Sequence, residues 1–212
     1  MSSDQPKFTR EQPEQRREQL VLAALSLIAR TGVRAATVRD IAQEAGVTQG
    51  LIRHYFGSKE SLIAAAYDYH MNRMTDAVWQ ASAAPDPRAR LAAFVVLSLS
   101  PPVMNRDWVS LWAAFLGRAM HDPQLVETHE RTYCHFRDRL ETLIEAALQH
   151  AGRPCPREET RQLAIACNGL IDGLWIEGGA LPQTFADDEL IAIGLRSIGA
   201  LIGLPLEDTK ET

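Results

Sequence analysis

The chain has 212 residues, 46% of them hydrophobic and 23% charged, which is enough apolar material for a large core without disulfide support. Cys134, Cys155 and Cys167 match no zinc or redox spacing, and the longest apolar stretch, 91–99, falls far short of the roughly 18 residues of a membrane span; a reducing cytoplasm and no membrane segment are expected. The net charge of −5 hides a division, because residues 1–60 carry nine Lys and Arg against seven Asp and Glu while the remainder carries thirteen against twenty, so a mildly basic head precedes an acidic body.

Met1 to Gln12 are polar with no apolar period and read as a disordered arm. Pro13 suits a first helical turn, and Leu20, Ala23, Ala24, Leu27 and Ile28 then recur at three- and four-residue steps, predicting an amphipathic helix that ends near Gly32. Thr37 with Asp40 resembles a capping box, and Val38, Ile41, Ala42 and Ala45 give a second, short helix its buried side before Gly46 stops it. Thr48 can cap a third helix running to about Tyr55; Gly57 and Ser58 break the chain again, and Ser58 caps a long helix. These signals divide the chain into the arm, a three-helix head over 13–60, and a body over 61–212. Within the body, Pro85 with Pro87, Pro101 with Pro102, Pro123, Pro154 with Pro156, and Pro182 separate long segments of helical period, and none alternates at period two. The expected fold is all-α.

The stretch from Thr37 to Leu62 carries the chemistry. Two short helices around a glycine turn cross steeply, which lets the second enter a major groove while the first braces it; Ala42, Val47 and Ile52 would form the core between them. Thr48, Gln49 and Arg53 are the candidates to read base edges, since Arg with guanine and Gln with adenine make bidentate pairs. Gly50 and His54 lie on the same helix. Thr37, Arg39, Tyr55 and Lys59 suit phosphate contact and would position the head without specifying sequence. The run Gly46-Val-Thr-Gln-Gly-Leu-Ile-Arg-His-Tyr-Phe-Gly-Ser-Lys-Glu-Ser-Leu62, preceded by Ala35 to Ala42, resembles the DNA-binding head of the TetR family over about residues 15 to 65. The family often has a second aromatic residue where Arg53 or His54 stands. The resemblance implies a dimeric repressor that grips a palindromic operator on double-stranded DNA and is released by a small-molecule effector.

In the body, Trp108, Trp112 and Phe115 stand at i, i+4 and i+7 and make an aromatic stripe, and Asp172 with Trp175 share a face of another helix. Aromatic faces with one carboxylate suit a quaternary ammonium or other soft cation; equally, tryptophans fill cores and subunit interfaces. The segments Trp108 to Phe115 and Leu170 to Trp175 resemble the BetI-like subgroup, whose named members respond to choline and control glycine betaine synthesis, although Glu177 stands where members often carry a basic residue. A regulator sensing a hydrophobic or multidrug-like compound, and a helical protein-interaction adaptor, are the alternatives. Gly169 with Gly173, and Gly199 with Gly203, are spaced for close helix approach, and the family likeness implies a four-helix dimer interface there. No catalytic residues, metal or cofactor are expected. Cys134 and His135 are adjacent and so diverge on a helix, His121, His129 and His135 include no i, i+4 pair, and no glycine-rich phosphate loop is present.

Overall fold

The structure, a computed structural model, describes residues 12–119 and 122–207. The expected arm, except Gln12, and His121 lie outside the described residues. Those described fold into nine helices and no strand, the all-α architecture expected, and the chain divides into two compact units between Ala66 and Tyr67.

The first unit opens with α1, Pro13–Thr31, with proline in its first turn. Its buried face is Leu20, Val21, Ala23, Ala24, Leu25, Leu27 and Ile28, and Gly32 ends it at φ +79°, a backbone state that favours glycine. In α2, Val38–Glu44, the Asp40 backbone N–H donates to the Thr37 hydroxyl at 3.2 Å, as the capping pattern requires, and Ile41 and Ala42 are buried against α1. Gly46 turns the chain at φ +64° into α3, Gln49–Phe56, which buries Ile52. Thr48 sits at the N-cap of α3, yet its hydroxyl makes no cap hydrogen bond, contrary to the capping role expected of it. Ser58 does cap α4, Lys59–Ala81, accepting from the Ser61 N–H at 3.0 Å.

The second unit takes up α4 from Tyr67 and adds α5, Pro87–Ser98, α6, Arg106–Ala119, α7, Pro123–His150, α8, Arg157–Ala180, and α9, Glu189–Ile202. The proline signals fall between these helices or, as Pro87 and Pro123 do, on the first residue of one. Asp86 and Asp122 cap α5 and α7 ahead of prolines in their first turns, accepting from the N–H of Ala89 at 2.7 Å and of Gln124 at 3.0 Å. The core runs through α5, α7, α8 and α9, with Phe94, Leu99, Leu140, Ile144, Cys167 and Ile198 fully buried.

Two close approaches set the position of α6. A methyl group on Gly178 would collide with Met104 and Leu190, and one on Gly179 with Val109, so the last turn of α8 lies directly against α6 and the loop before it. The glycines expected to face another subunit divide in two. Gly169 and Gly173 are exposed with open space above them. Gly199 is buried, and the backbone that approaches it is the chain's own: a methyl group there would stand 3.1 Å from the Leu204 carbonyl oxygen and 3.2 Å from the Leu206 nitrogen. Gly203 takes φ +65° as the C-cap of α9, and Arg153 donates to its carbonyl. The α9 pair therefore serves a turn within the chain, a requirement that spacing alone does not distinguish from docking.

Candidate functional site

The first candidate site is the outer face of α2 and α3. Gln49, Gly50, Arg53 and His54 form a strip along α3 at i, i+1, i+4 and i+5; all four are exposed, while Ile52 faces the core. Arg39 and Thr48 are exposed as well. Tyr55 and Lys59 are half-buried, and the Tyr55 ring meets His54 edge-on at 5.4 Å. Thr37 is exposed, but its hydroxyl donates to the Asp40 carboxylate at 2.6 Å, so its hydrogen is already committed within the cap. Arg17 lies 5.0 Å over the ring of Phe56, which ties the end of α3 to α1 by a cation–π contact. Exposed donors on a short braced helix can reach base edges, and the half-buried Tyr55 and Lys59 can reach phosphates.

The second candidate site is a cavity in the second unit, closed by α4, α6, α7 and α8. It offers about 80 Å³ of room for the centres of water molecules. Since about 10–15 Å³ suffices for one water, it suits a small molecule of several non-hydrogen atoms. Trp108 and Trp112 reach it from α6, and Asp172 and Trp175 from α8. The rings of Trp112 and Trp175 stand perpendicular, with centroids 6.1 Å apart, so they make two adjoining walls, and the Trp175 indole N–H is anchored on the Val103 carbonyl at 2.8 Å. Phe115, expected beside them, does not line the cavity. It is fully buried and stacks flat on Tyr67 at 3.5 Å, and Tyr67 supplies the wall instead.

Several lining residues carried no sequence argument. Tyr67 and His70 come from α4 and Tyr133 from α7, helices whose register against α8 no local pattern reveals. Asn168 was within reach, because it precedes Asp172 by one helical turn. His70 packs on Trp108 at 3.9 Å, and burial takes its imidazole down to about 4, so it is neutral at physiological pH. The Tyr67 hydroxyl pairs with His129 Nδ1 at 3.0 Å.

Asp172 dominates the electrostatics. Burial raises its carboxyl to about 6, and hydrogen bonds donated by Tyr133 at 3.0 Å and Asn168 at 2.9 Å oppose that rise. Among the described residues that line the cavity there is no Lys or Arg, so Asp172 is the one charge facing it at neutral pH. An aromatic box with a single anion attracts a soft cation and repels anions. Among the described residues no group of three potential ligands could hold a metal ion, and no helix is long and apolar enough to cross a membrane.

Comparison with known proteins bears on both sites. Residues 20–66 match the family described as bacterial regulatory proteins, tetR family, and residues 87–203 match the BetI-type transcriptional repressor, C-terminal. The HTH-type transcriptional regulator BetI of Yersinia pestis (strain Pestoides F) is 33% identical over 181 residues, covering 84% of this chain and 88% of that protein. The crystal structure of a transcriptional regulator from Pseudomonas aeruginosa PAO1 is similar with a TM-score of 0.80 at 30% identity, over 93% of this chain and 95% of that one. A transcriptional regulator from Saccharomonospora viridis, crystallised in complex with choline, shares the fold with a TM-score of 0.71 at 24% identity, over 90% of this chain and 96% of that one.

Proposed function

The chain belongs to the TetR family of bacterial regulators and carries a BetI-type repressor domain after its helix-turn-helix, and from that premise we propose that a quaternary ammonium compound of choline's kind releases it from its operator. As a transcriptional regulator it works by DNA binding and not by catalysis. In this reading two copies pair and grip a palindrome, with Gln49 and Arg53 on base edges and Arg39, Tyr55 and Lys59 on phosphates.

The observation that carries the effector reading is the half-buried Asp172 in a tryptophan-walled cavity with no Lys or Arg in its lining. A trimethylammonium group gains about 0.5–2 kcal/mol from each aromatic face it meets. At a separation near 4 Å and an effective dielectric of about 20, a carboxylate adds about 4 kcal/mol. The carboxylate term therefore exceeds that of any single aromatic face, and both are lost when a neutral molecule of the same shape replaces the cation. The choline held by the Saccharomonospora viridis regulator supports the choice of ligand class.

Calorimetric titration tests this with choline, its neutral carbon isostere 3,3-dimethylbutan-1-ol, and glycine betaine. Choline is expected to bind at least about 30-fold tighter than either of the others, as the charge term requires. Equal affinity for choline and the isostere would contradict the reading and return the tryptophans to a packing role.

A further inference from the structure

We propose that Tyr133 and Asn168 are positioning residues for cation recognition: by donating together to Oδ2 of Asp172 they present its carboxylate as an anion with Oδ1 left for the ligand. The inference rests on the effector reading above and assigns it two further specificity determinants.

Geometry comes first. Tyr133 approaches from α7 and Asn168 from α8 itself, one turn before Asp172, and both hydrogen bonds land on the same oxygen, at 3.0 and 2.9 Å. An ionised carboxylate offers about four lone-pair sites on its two oxygens, so fastening one oxygen from two directions fixes the rotamer without exhausting the acceptor. Hydrogen bonds donated to a carboxylate stabilise its ionised form more than its protonated one, so the pair opposes the rise that burial causes.

The surroundings explain why donors are needed. The titratable groups around Asp172 are Tyr67 and His70 on α4 and Tyr133 and His129 on α7, while α5 and α6 bring no charged side chain to the lining. Burial, the leading cause in each case, lowers both imidazoles and raises both phenols, so all four are uncharged at neutral pH. A buried carboxylate is ordinarily held ionised by a cation; here no lining residue supplies one, and two neutral donors do that work. The result is a carboxyl near 6, ionised about tenfold over neutral at pH 7. That margin is narrow enough for one lost hydrogen bond to erase it.

The experiment follows the carboxyl and the ligand separately, in the full-length wild type, Tyr133→Phe and Asn168→Leu. Carbon-13 NMR of labelled aspartate, with Asp172→Asn used for assignment, reports the titration of Asp172, and choline affinity is measured from pH 6 to pH 9. In Tyr133→Phe the carboxyl is expected to titrate at a higher pH than in the wild type. For a rise of about one pKa unit, choline binding should weaken about fivefold at pH 6 and about twofold at pH 7, and should equal the wild type's at pH 9, where both carboxyls are ionised. Asn168→Leu should behave alike, so a folding failure in one variant leaves the other to decide. An unchanged carboxyl titration would overturn the assignment, and so would an equal loss of binding at every pH, the mark of a merely structural role. If the carboxyl moves as expected but wild-type protein binds no choline at any pH, the positioning role stands and the effector reading falls instead.

Discussion

Arg53 on α3 and Asp172 in the cavity are the two charged groups on which the proposed function turns, and the two units accommodate them in opposite ways. Arg53 stands in water, where an unmet charge costs the fold nothing, and the head's stability comes from residues on the other side of the same helices: Ile41, Ala42, Ile52 and the Thr37 cap. Asp172 is half-buried with two neutral donors, and its raised carboxyl records a standing penalty. Under the proposed function, DNA recognition would be laid over a relaxed scaffold, whereas ligand recognition would be stored as electrostatic strain inside one.

The sharpest way to break this contrast is Asp172→Asn. A carboxyl raised from 3.8 to about 6 corresponds to a penalty of at most about 3 kcal/mol at pH 7. The folded state binds the proton more tightly than the unfolded one, so the penalty is absent below about pH 4, grows as pH rises through about 6, and is complete above that. The variant should therefore be more stable than wild type at neutral pH, by up to that amount, in urea unfolding. His70 works in the opposite sense: its lowered pKa makes the folded state lose stability as pH falls from about 6.5 toward 4. Removing Asp172 should expose that acid-side loss, which the wild type partly offsets. No gain in stability at pH 7 would mean that Asp172 is not strained.

On the head, Arg53→Ala should weaken operator binding by about 1–3 kcal/mol and relax preference at one base pair, leaving thermal stability unchanged. Lys59→Ala should weaken all sequences alike and reduce the salt slope by about one. Gel shifts at two salt concentrations on matched and mutated sites separate these outcomes, and equal losses of specificity would undo the assignment of roles. The smallest effect sharpens the comparison further. Gly50 is exposed within α3, and a methyl there would meet only the Thr48 side chain, at an ordinary 3.8 Å. Nothing among the described residues requires glycine there, so Gly50→Ala should stabilise the head by about 0.5–1 kcal/mol while weakening the operator complex, if close approach of DNA is what keeps the position empty. Unimpaired DNA binding would show that the head carries no such concession to function.

How much of this was legible in the chain follows from the same contrast. The head's signals are local: Thr37 capping Asp40, glycines at 46 and 57 where φ is positive, and the strip from Gln49 to His54 all lie within one or two turns of each other. Even there Thr48 misled, since an N-cap residue need not use its side chain. In the body the helix limits were readable from proline, and Trp108, Trp112, Asp172 and Trp175 from helical spacing, because each pair shares a helix. Tyr67, His70 and Tyr133 were not, because helix-to-helix register depends on packing over long sequence separations. Phe115 fitted the stripe by period but faces Tyr67, a difference that only the neighbouring helix decides. Gly199 likewise looked like a docking surface until the chain's own turn at 204–206 came to rest on it.

The central claim is that filling a strained cavity lowers the affinity of a relaxed head for DNA, and linkage makes it directly measurable. Choline would be titrated against the operator complex at pH 7.5, and its dissociation constant compared for free and DNA-bound protein, in the wild type and in Asp172→Asn. If choline lowers operator affinity tenfold, it must bind the DNA complex tenfold more weakly than the free protein, a coupling of about 1.4 kcal/mol. The account predicts that reciprocal pair of shifts in the wild type and neither in the variant. Release by choline that persists undiminished in Asp172→Asn, or release by neutral and anionic compounds alone, would contradict it.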